Sequence, residues 1–159
     1  MPRNSEALTE ALEGFQGLPL ERVSKTGFAT FRFGRWVTRQ TRSGRTVEDT
    51  THTLLVETAW RVVKGGRFCN WGSSTDETYP NREGRLWHAL LTRMGRKDLR
   101  FGKWQLGPSG ELSVELGRGY RLQIVPLTDQ SSFHWAVHVP DENIALYCVG
   151  PSGRIEDWT

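Results

Sequence analysis

The chain has 159 residues, 36% of them apolar and 25% charged, with seven Trp, seven Phe and three Tyr. That is the length of one domain, with enough large apolar side chains to build a core without disulfides or a structural metal, and it excludes a globally disordered chain. No apolar run approaches the roughly 18 residues of a membrane span, and the N-terminus lacks the order of a signal peptide, so a soluble cytoplasmic protein with no membrane partner is expected.

Net charge is only +3, from 21 Lys and Arg against 18 Asp and Glu, but it is unevenly spread. Between Arg22 and Arg45 stand seven basic residues and no acidic one, whereas from Asp129 onward five acidic residues face a single Arg154. Such asymmetry suits the steering of an anionic partner, although a solvated ribbon carrying Arg on its wet face has the same pattern. The two cysteines, Cys69 and Cys148, are far apart and in no metal-binding spacing. Each lies in a run of strand-forming residues, where a thiol acts as a small buried hydrophobe.

In chain order, residues 4–15 place Ala7, Leu8, Ala11, Leu12 and Phe15 in one helical stripe, with Glu6, Glu10 and Glu13 outside it. Asn4 or Ser5 starts this helix, Gly14 to Gly17 stop it, and so short an amphipathic helix must dock on the rest of the chain. Residues 20–50 then read as a basic β-ribbon. Phe28 to Val37 is its clearest strand, and Arg42-Ser43-Gly44-Arg45 is a turn that returns the chain. His52 to Val63 reads as one central strand, with Leu54, Val56, Trp60 and Val62 on one face and Leu55, Ala59 and Val63 on the other. Gly65-Gly66 makes a tight hairpin into 67–71. Leu86, Trp87, Leu90, Leu91 and Met94 form a second helical stripe over 80–94, capped by Gly95. A β-meander follows over 98–150: Leu99–Leu106, Glu111–Leu116, Tyr120–Leu127, Phe133–Val139 and Ile144–Val149, joined by short turns that favour antiparallel pairing. The fold class is therefore α+β: a mostly antiparallel sheet of seven to eight strands with an N-terminal and a central helix, in two layers and one domain spanning 1–159.

His134 and His138 have the spacing of a helical metal pair, but Phe133, Trp135, Val137 and Val139 alternate with them, which is strand periodicity. Four residues along a strand span roughly 13 Å, too far for a shared ion, so no metal and no cofactor is expected. The two histidines read instead as solvent-facing side chains of a sheet, available to a ligand or to pH. Gly72, Ser73, Ser74 and Asp76 follow a strand with the small and hydroxyl residues that a phosphate- or nucleotide-binding loop uses, and equally those of a plain loop. No nucleophile elbow, catalytic-cysteine context or tuned carboxylate pair is visible, so no catalytic residue is assigned and the reading leans away from an enzyme. Phe31, Phe33 and Trp36 interleave with Arg32, Arg35 and Arg39, as aromatics and arginines do where single-stranded nucleic acid is held.

The span His52 to Val63 with its Trp60-Arg61 ending, the Gly65-Gly66 hairpin and the loop Gly72 to Asp76 resemble a family of small uncharacterised bacterial proteins frequent in actinobacteria. In that family a strand ending in Trp-Arg precedes a hairpin and a Gly-Ser-x-Asp-like loop. Gly110 to Leu116, Gly119 to Pro126 and His134-Trp135 look like the family's Gly-rich hairpin, its strand ending in Pro and its final His-Trp strand. The resemblance covers about residues 50–153. This chain departs from it by an extra hydroxyl residue before Asp76 and by the basic Arg22 to Arg45 hairpin. It implies an α+β sheet protein loosely similar to the immunity proteins of bacterial toxin systems, and it carries over no catalytic residue.

Together these readings point to a non-enzymatic, immunity-like or regulatory binding protein that meets a protein partner. Its expected contact residues are Arg32, Arg35, Arg39, Arg42 and Arg45 on the ribbon, with Glu115, Arg121, His134 and His138 on the later sheet. The alternative is a nucleic-acid-binding module using the ribbon. A third reading is a phosphate or nucleotide site at 72–76.

Overall fold

The computed structural model describes residues 2–24, 29–73, 99–126, 133–149 and 153–158. Helix α1 (Pro2–Phe15) is followed by strands β1 (Leu20–Ser24), β2 (Ala29–Gln40), β3 (Thr46–Val56), β4 (Ala59–Lys64), β5 (Arg67–Ser73) and β6 (Trp104–Leu106). Then come β7 (Leu112–Gly117), β8 (Tyr120–Val125), β9 (Phe133–Val139), β10 (Ile144–Val149) and β11 (Arg154–Asp157). They form a six-stranded sheet in the order β1-β2-β3-β9-β10-β11 and a five-stranded sheet in the order β5-β4-β8-β7-β6. Every strand pairing in both sheets is antiparallel.

The expected antiparallel α+β class holds, but the strand count and layering are corrected. Eleven strands occur among the described residues, where seven to eight were expected; two short edge strands, β1 and β11, and a division of 52–63 account for the difference. Alternation shows which residues of a strand face inward, and says nothing about whether the strand belongs to one sheet or to a second sheet facing it. The inner face of the six-stranded sheet carries Phe31, Phe33, Leu54, Val56, Trp135 and Val137, and that of the five-stranded sheet carries Trp60, Val62, Val114, Leu122 and Ile124, all buried in one cluster. The sheets meet at Phe31 and Trp60, whose rings lie edge to face 5.3 Å apart. The expected central helix 80–94 lies outside the described residues.

The run 52–63 is two strands, because the chain changes sheets at Glu57-Thr58. Both of these N–H groups donate to the His134 carbonyl, at 2.9 and 3.1 Å, which ends the β3 ladder and turns the chain into β4. The side chain of Thr58 is buried as well. Inward parity therefore passes unbroken from Leu54 and Val56 to Trp60 and Val62, which is why the sequence reads as a single strand.

Residues 99–103 were expected to be strand and are instead a seam between the sheets. On one side Gly17 and Leu20 donate to Phe101 and Leu99, and Phe101 donates to Leu18; on the other, Arg100 and Gly102 donate to Leu116 and Glu115 of β7. Helix α1 docks its stripe on this core. Leu8, Leu12 and Phe15 are buried, and the Phe15 ring sits 5.2 Å from Phe101 and 6.0 Å from Phe33. Asn4 does not cap α1: it lies inside the helix, and its side-chain amide donates to the Ile155 carbonyl of β11 at 3.0 Å.

Trp135 fixes the middle of the sandwich. Its ring is fully buried, and its Nε1 donates to the Gly110 carbonyl at 2.7 Å, tying β9 to the turn before β7. Trp135→Ala is expected to lower the unfolding free energy by about 3–5 kcal/mol, and Trp135→Phe by less. Denaturant titration of both variants checks this, and an unmoved midpoint for the Ala variant contradicts the packing described.

Candidate interaction surface

The basic ribbon is a β-arm that outruns its sheet. β3 pairs with β9 only from Thr53 to Val56, while its pairing with β2 continues to Gln40↔Thr46. Seven further residues of β3 carry the ribbon roughly 23 Å beyond that last pairing. Every residue from Gln40 to Glu48 is exposed. Gly34 makes the bend at the arm's base: it has φ +98, and a Cβ there would sit 2.0 Å from Thr51 Oγ1, at a register shift between Phe33 and Trp36. This bulge swaps the parity of β2, so that Phe31 and Phe33 point into the core while Arg39 shares the opposite face with Arg32. The tip is ordered by its own hydrogen bonds, Thr41 N–H to Arg45 O at 2.8 Å and Gly44 N–H to Thr41 O at 2.9 Å.

The five ribbon arginines do not act alike. Arg32 pairs with Asp49, and Arg39 reaches Asp49 at 3.4 Å and Asp141 at 2.6 Å. The hydrogen bond from Arg39 holds the Asp141 carboxyl below the usual carboxylate range, and its counterpart raises the Arg39 guanidinium. Arg32 ties β2 to β3 through Asp49, and Arg39 ties the arm to the 3-10 turn Pro140–Glu142 that follows β9. Arg35, Arg42 and Arg45 are exposed and make no ion pair among the described residues. Sequence reasoning missed the roles of Asp49 and Asp141, which look like loop carboxylates; only the β2–β3 register and the turn after β9 set them against Arg32 and Arg39.

The other expected contact residues lie apart from the arm. Glu115 and Arg121 face each other across β7 and β8, bonded at 3.0 Å and both well exposed, a pair of small energetic weight. His134, on the interior strand β9, is fully buried rather than solvent-facing. His138 is half-buried, with Nε2 3.4 Å from the Tyr147 hydroxyl. Gly72 and Ser73 belong to β5, paired with Trp60 and Ala59, rather than to a loop; Ser74 and Asp76 lie outside the described residues. Cys148 is buried, and desolvation pushes its thiol up to about 12, which removes it from thiolate chemistry at neutral pH. Among the described residues no group of three or more His, Cys, Asp or Glu converges as metal ligands do, and no helix is long and apolar enough to cross a membrane.

Two histidines make stability depend on pH. His52 sits beneath the arm with its ring 5.0 Å from Phe15 and Nδ1 2.8 Å from Thr51 Oγ1. Burial lowers its pKa, with Glu142 and Asp141 opposing; burial lowers that of His138 as well, against Asp49. A histidine whose folded pKa lies below the unfolded value of 6.5 takes up its proton first in the unfolded chain. Its stabilisation is complete above that value and is lost as pH falls through the folded pKa. Unfolding free energy is expected to fall between about pH 7.5 and about pH 5, and His52→Gln should flatten the decline. Urea titrations at both pH values decide, and a flat wild-type profile counts against the buried neutral imidazoles.

A scan of known protein families, a search of curated proteins and a search of solved structures each find no match.

Proposed function

We propose that this is a non-catalytic binding protein, immunity-like or regulatory in kind, that docks an acidic surface of a partner protein through the tip of the β2–β3 arm. The observation that carries the reading is the sorting of the ribbon arginines. Arg32 and Arg39 are consumed in ion pairs with Asp49 and Asp141, while Arg35, Arg42 and Arg45 stand exposed on an element that projects beyond its sheet. A tip already ordered by its own hydrogen bonds loses little entropy on docking, and unpaired guanidiniums favour bidentate contact with carboxylates. Glu48 and Asp49 lie partway along the arm, opposite Thr38 and Val37, and the tip beyond them, residues 40–45, carries Arg42 and Arg45 with no carboxylate.

One observation favours a second reading, single-stranded nucleic acid. The ring of Trp36 is 42% exposed beside Arg35, a pairing of stacking face and phosphate-binding cation. Against it, the Trp36 indole N–H donates to Glu21 at 3.2 Å, which places a carboxylate where a phosphate would approach.

The test compares wild type with the triple variant Arg35→Ser, Arg42→Ser, Arg45→Ser as bait in nuclease-treated lysate of the source organism, eluting with increasing salt. The expected result is a stoichiometric protein that survives nuclease, elutes with salt and is absent from the triple-variant capture. Recovery of nucleic acid that disappears with nuclease and with the triple change supports the second reading. Equal capture by both baits removes the arm from the function.

A further inference from the structure

Beyond Gly34 the arm leaves one edge of β2 without a neighbour. The last bond on that side runs from the Gly34 N–H to the Pro19 carbonyl at 3.0 Å, and among the described residues no strand pairs with β2 there past Phe33. The Thr41 N–H donates across the arm to Arg45, and main-chain polar groups alternate in direction along a strand. Val37 and Arg39 therefore bond to β3. Trp36, Thr38 and Gln40, all exposed, turn their N–H groups and carbonyls outward along roughly 13 Å of free edge. Two other sheet edges are covered: the Ile155 carbonyl of β11 accepts from Asn4 of α1, and Leu20 of β1 donates to Leu99. The far edge of the arm is stopped as well, since the Thr50 N–H donates to Asp49 Oδ1 at 2.7 Å and its carbonyl accepts from Arg39 at 3.4 Å.

Register sets the chemistry of this edge. Arg35 and Arg39 share a face with Val37, while Trp36, Thr38 and Gln40 share the other, where Glu48 stands opposite Thr38. Asp49, the carboxylate on the arginine face, is already paired with Arg32 and Arg39. A strand laid along the edge meets cations on one face, and on the other an exposed Trp36 ring with a carboxylate nearby. Its own carboxylates therefore belong on alternate residues, with uncharged β-branched side chains between them. A second copy of this chain fits poorly, because antiparallel self-pairing centred on Thr38 brings Arg35 and Arg39 of both copies onto one face, where like charges oppose pairing.

We propose that the β2 edge over residues 36–40 takes an extended acidic segment of the partner protein as an added strand. Its main chain bonds to Trp36, Thr38 and Gln40, and its alternate carboxylates lie beside Arg35 and the tip arginines. In strand addition the main-chain bonds supply affinity and the side chains set which sequence is accepted. Strand addition rests on the arm being the docking element, as proposed above, and adds the conformation and charge pattern of what the arm binds. An edge flanked by arginines resists pairing with chains of its own charge and stays open to an acidic one.

The probe is a fluorescent octapeptide of alternating Glu and Val, titrated against the intact protein by anisotropy. Its fully N-methylated form, which keeps the charge and loses the donors, and an octapeptide of alternating Lys and Val serve as comparisons. The expected result is saturable binding of the Glu–Val peptide, with affinity at least about tenfold weaker for the other two. Thr38→Pro removes an outward N–H without touching the bonds to β3 and should weaken binding about tenfold, whereas Thr38→Val should bind as wild type does. Melting curves show that each variant is folded. No binding of the Glu–Val peptide, or equal affinity for its N-methylated form, overturns the proposal. So does a dimer in sedimentation that Thr38→Pro dissolves, which gives the edge to a second copy. Binding that is lost in the triple variant Arg35→Ser, Arg42→Ser, Arg45→Ser but survives both N-methylation and Thr38→Pro overturns strand addition and leaves the arm as the docking element. Wild-type binding by the triple variant counts against both readings.

Discussion

Everything in this protein depends on two sheets burying their inner faces against each other. Helix α1 covers that side at Phe33 through Phe15, and in the middle of the sandwich the sheets cover each other, Phe31 meeting Trp60 and Trp135 reaching Gly110. Burial of this kind contributes roughly 25 cal/mol per Å² of apolar surface, and it acts on rows of residues set by register rather than on single contacts. The crossing at Glu57-Thr58 makes the arrangement workable. One carbonyl, that of His134, takes both N–H groups of the corner, and the chain enters the second sheet without losing a step of inward alternation.

The same constraint accounts for what is left outside. Once the inner faces are committed, the seam at 99–103 and helix α1 close the core, and the outer face of the five-stranded sheet carries polar side chains such as Arg61, Gln105 and Gln123. The bulge at Gly34 is the device that separates the two uses of β2. Before it, the strand contributes Phe31 and Phe33 to the core; after it, the strand runs out into an arm that is exposed from Gln40 to Glu48. Electrostatics then hold the arm in place, since Asp49 and Asp141 are spent on Arg32 and Arg39, leaving the remaining arginines available to a partner. A binding element of this design presents its cations on a fixed support, so little ordering remains to be done on contact.

Much of the architecture was legible from periodicity and turn chemistry. The stripe of α1, the Gly65-Gly66 hairpin with both residues at positive φ, and the alternation that made 133–139 a strand rather than a metal-binding helix are local patterns with local causes. Sites were less legible, because a side chain's role depends on what another strand brings opposite it. Arg35 and Arg39 look alike in sequence, yet one is exposed and the other is tied to two carboxylates, one of them about a hundred residues away. His134 and His138 share a strand and a face, yet one is wholly buried and the other only half.

By itself, then, the sequence determined the kinds of element and the inward and outward faces of each, since those follow from the 3.6- and 2-residue periods of the backbone and from where glycine is required. Tertiary structure alone decided which strands share a sheet, where the chain crosses between sheets, and which charges are neutralised. Those outcomes depend on register and on residues distant in the chain, and alternation is the same whichever neighbour a strand finds.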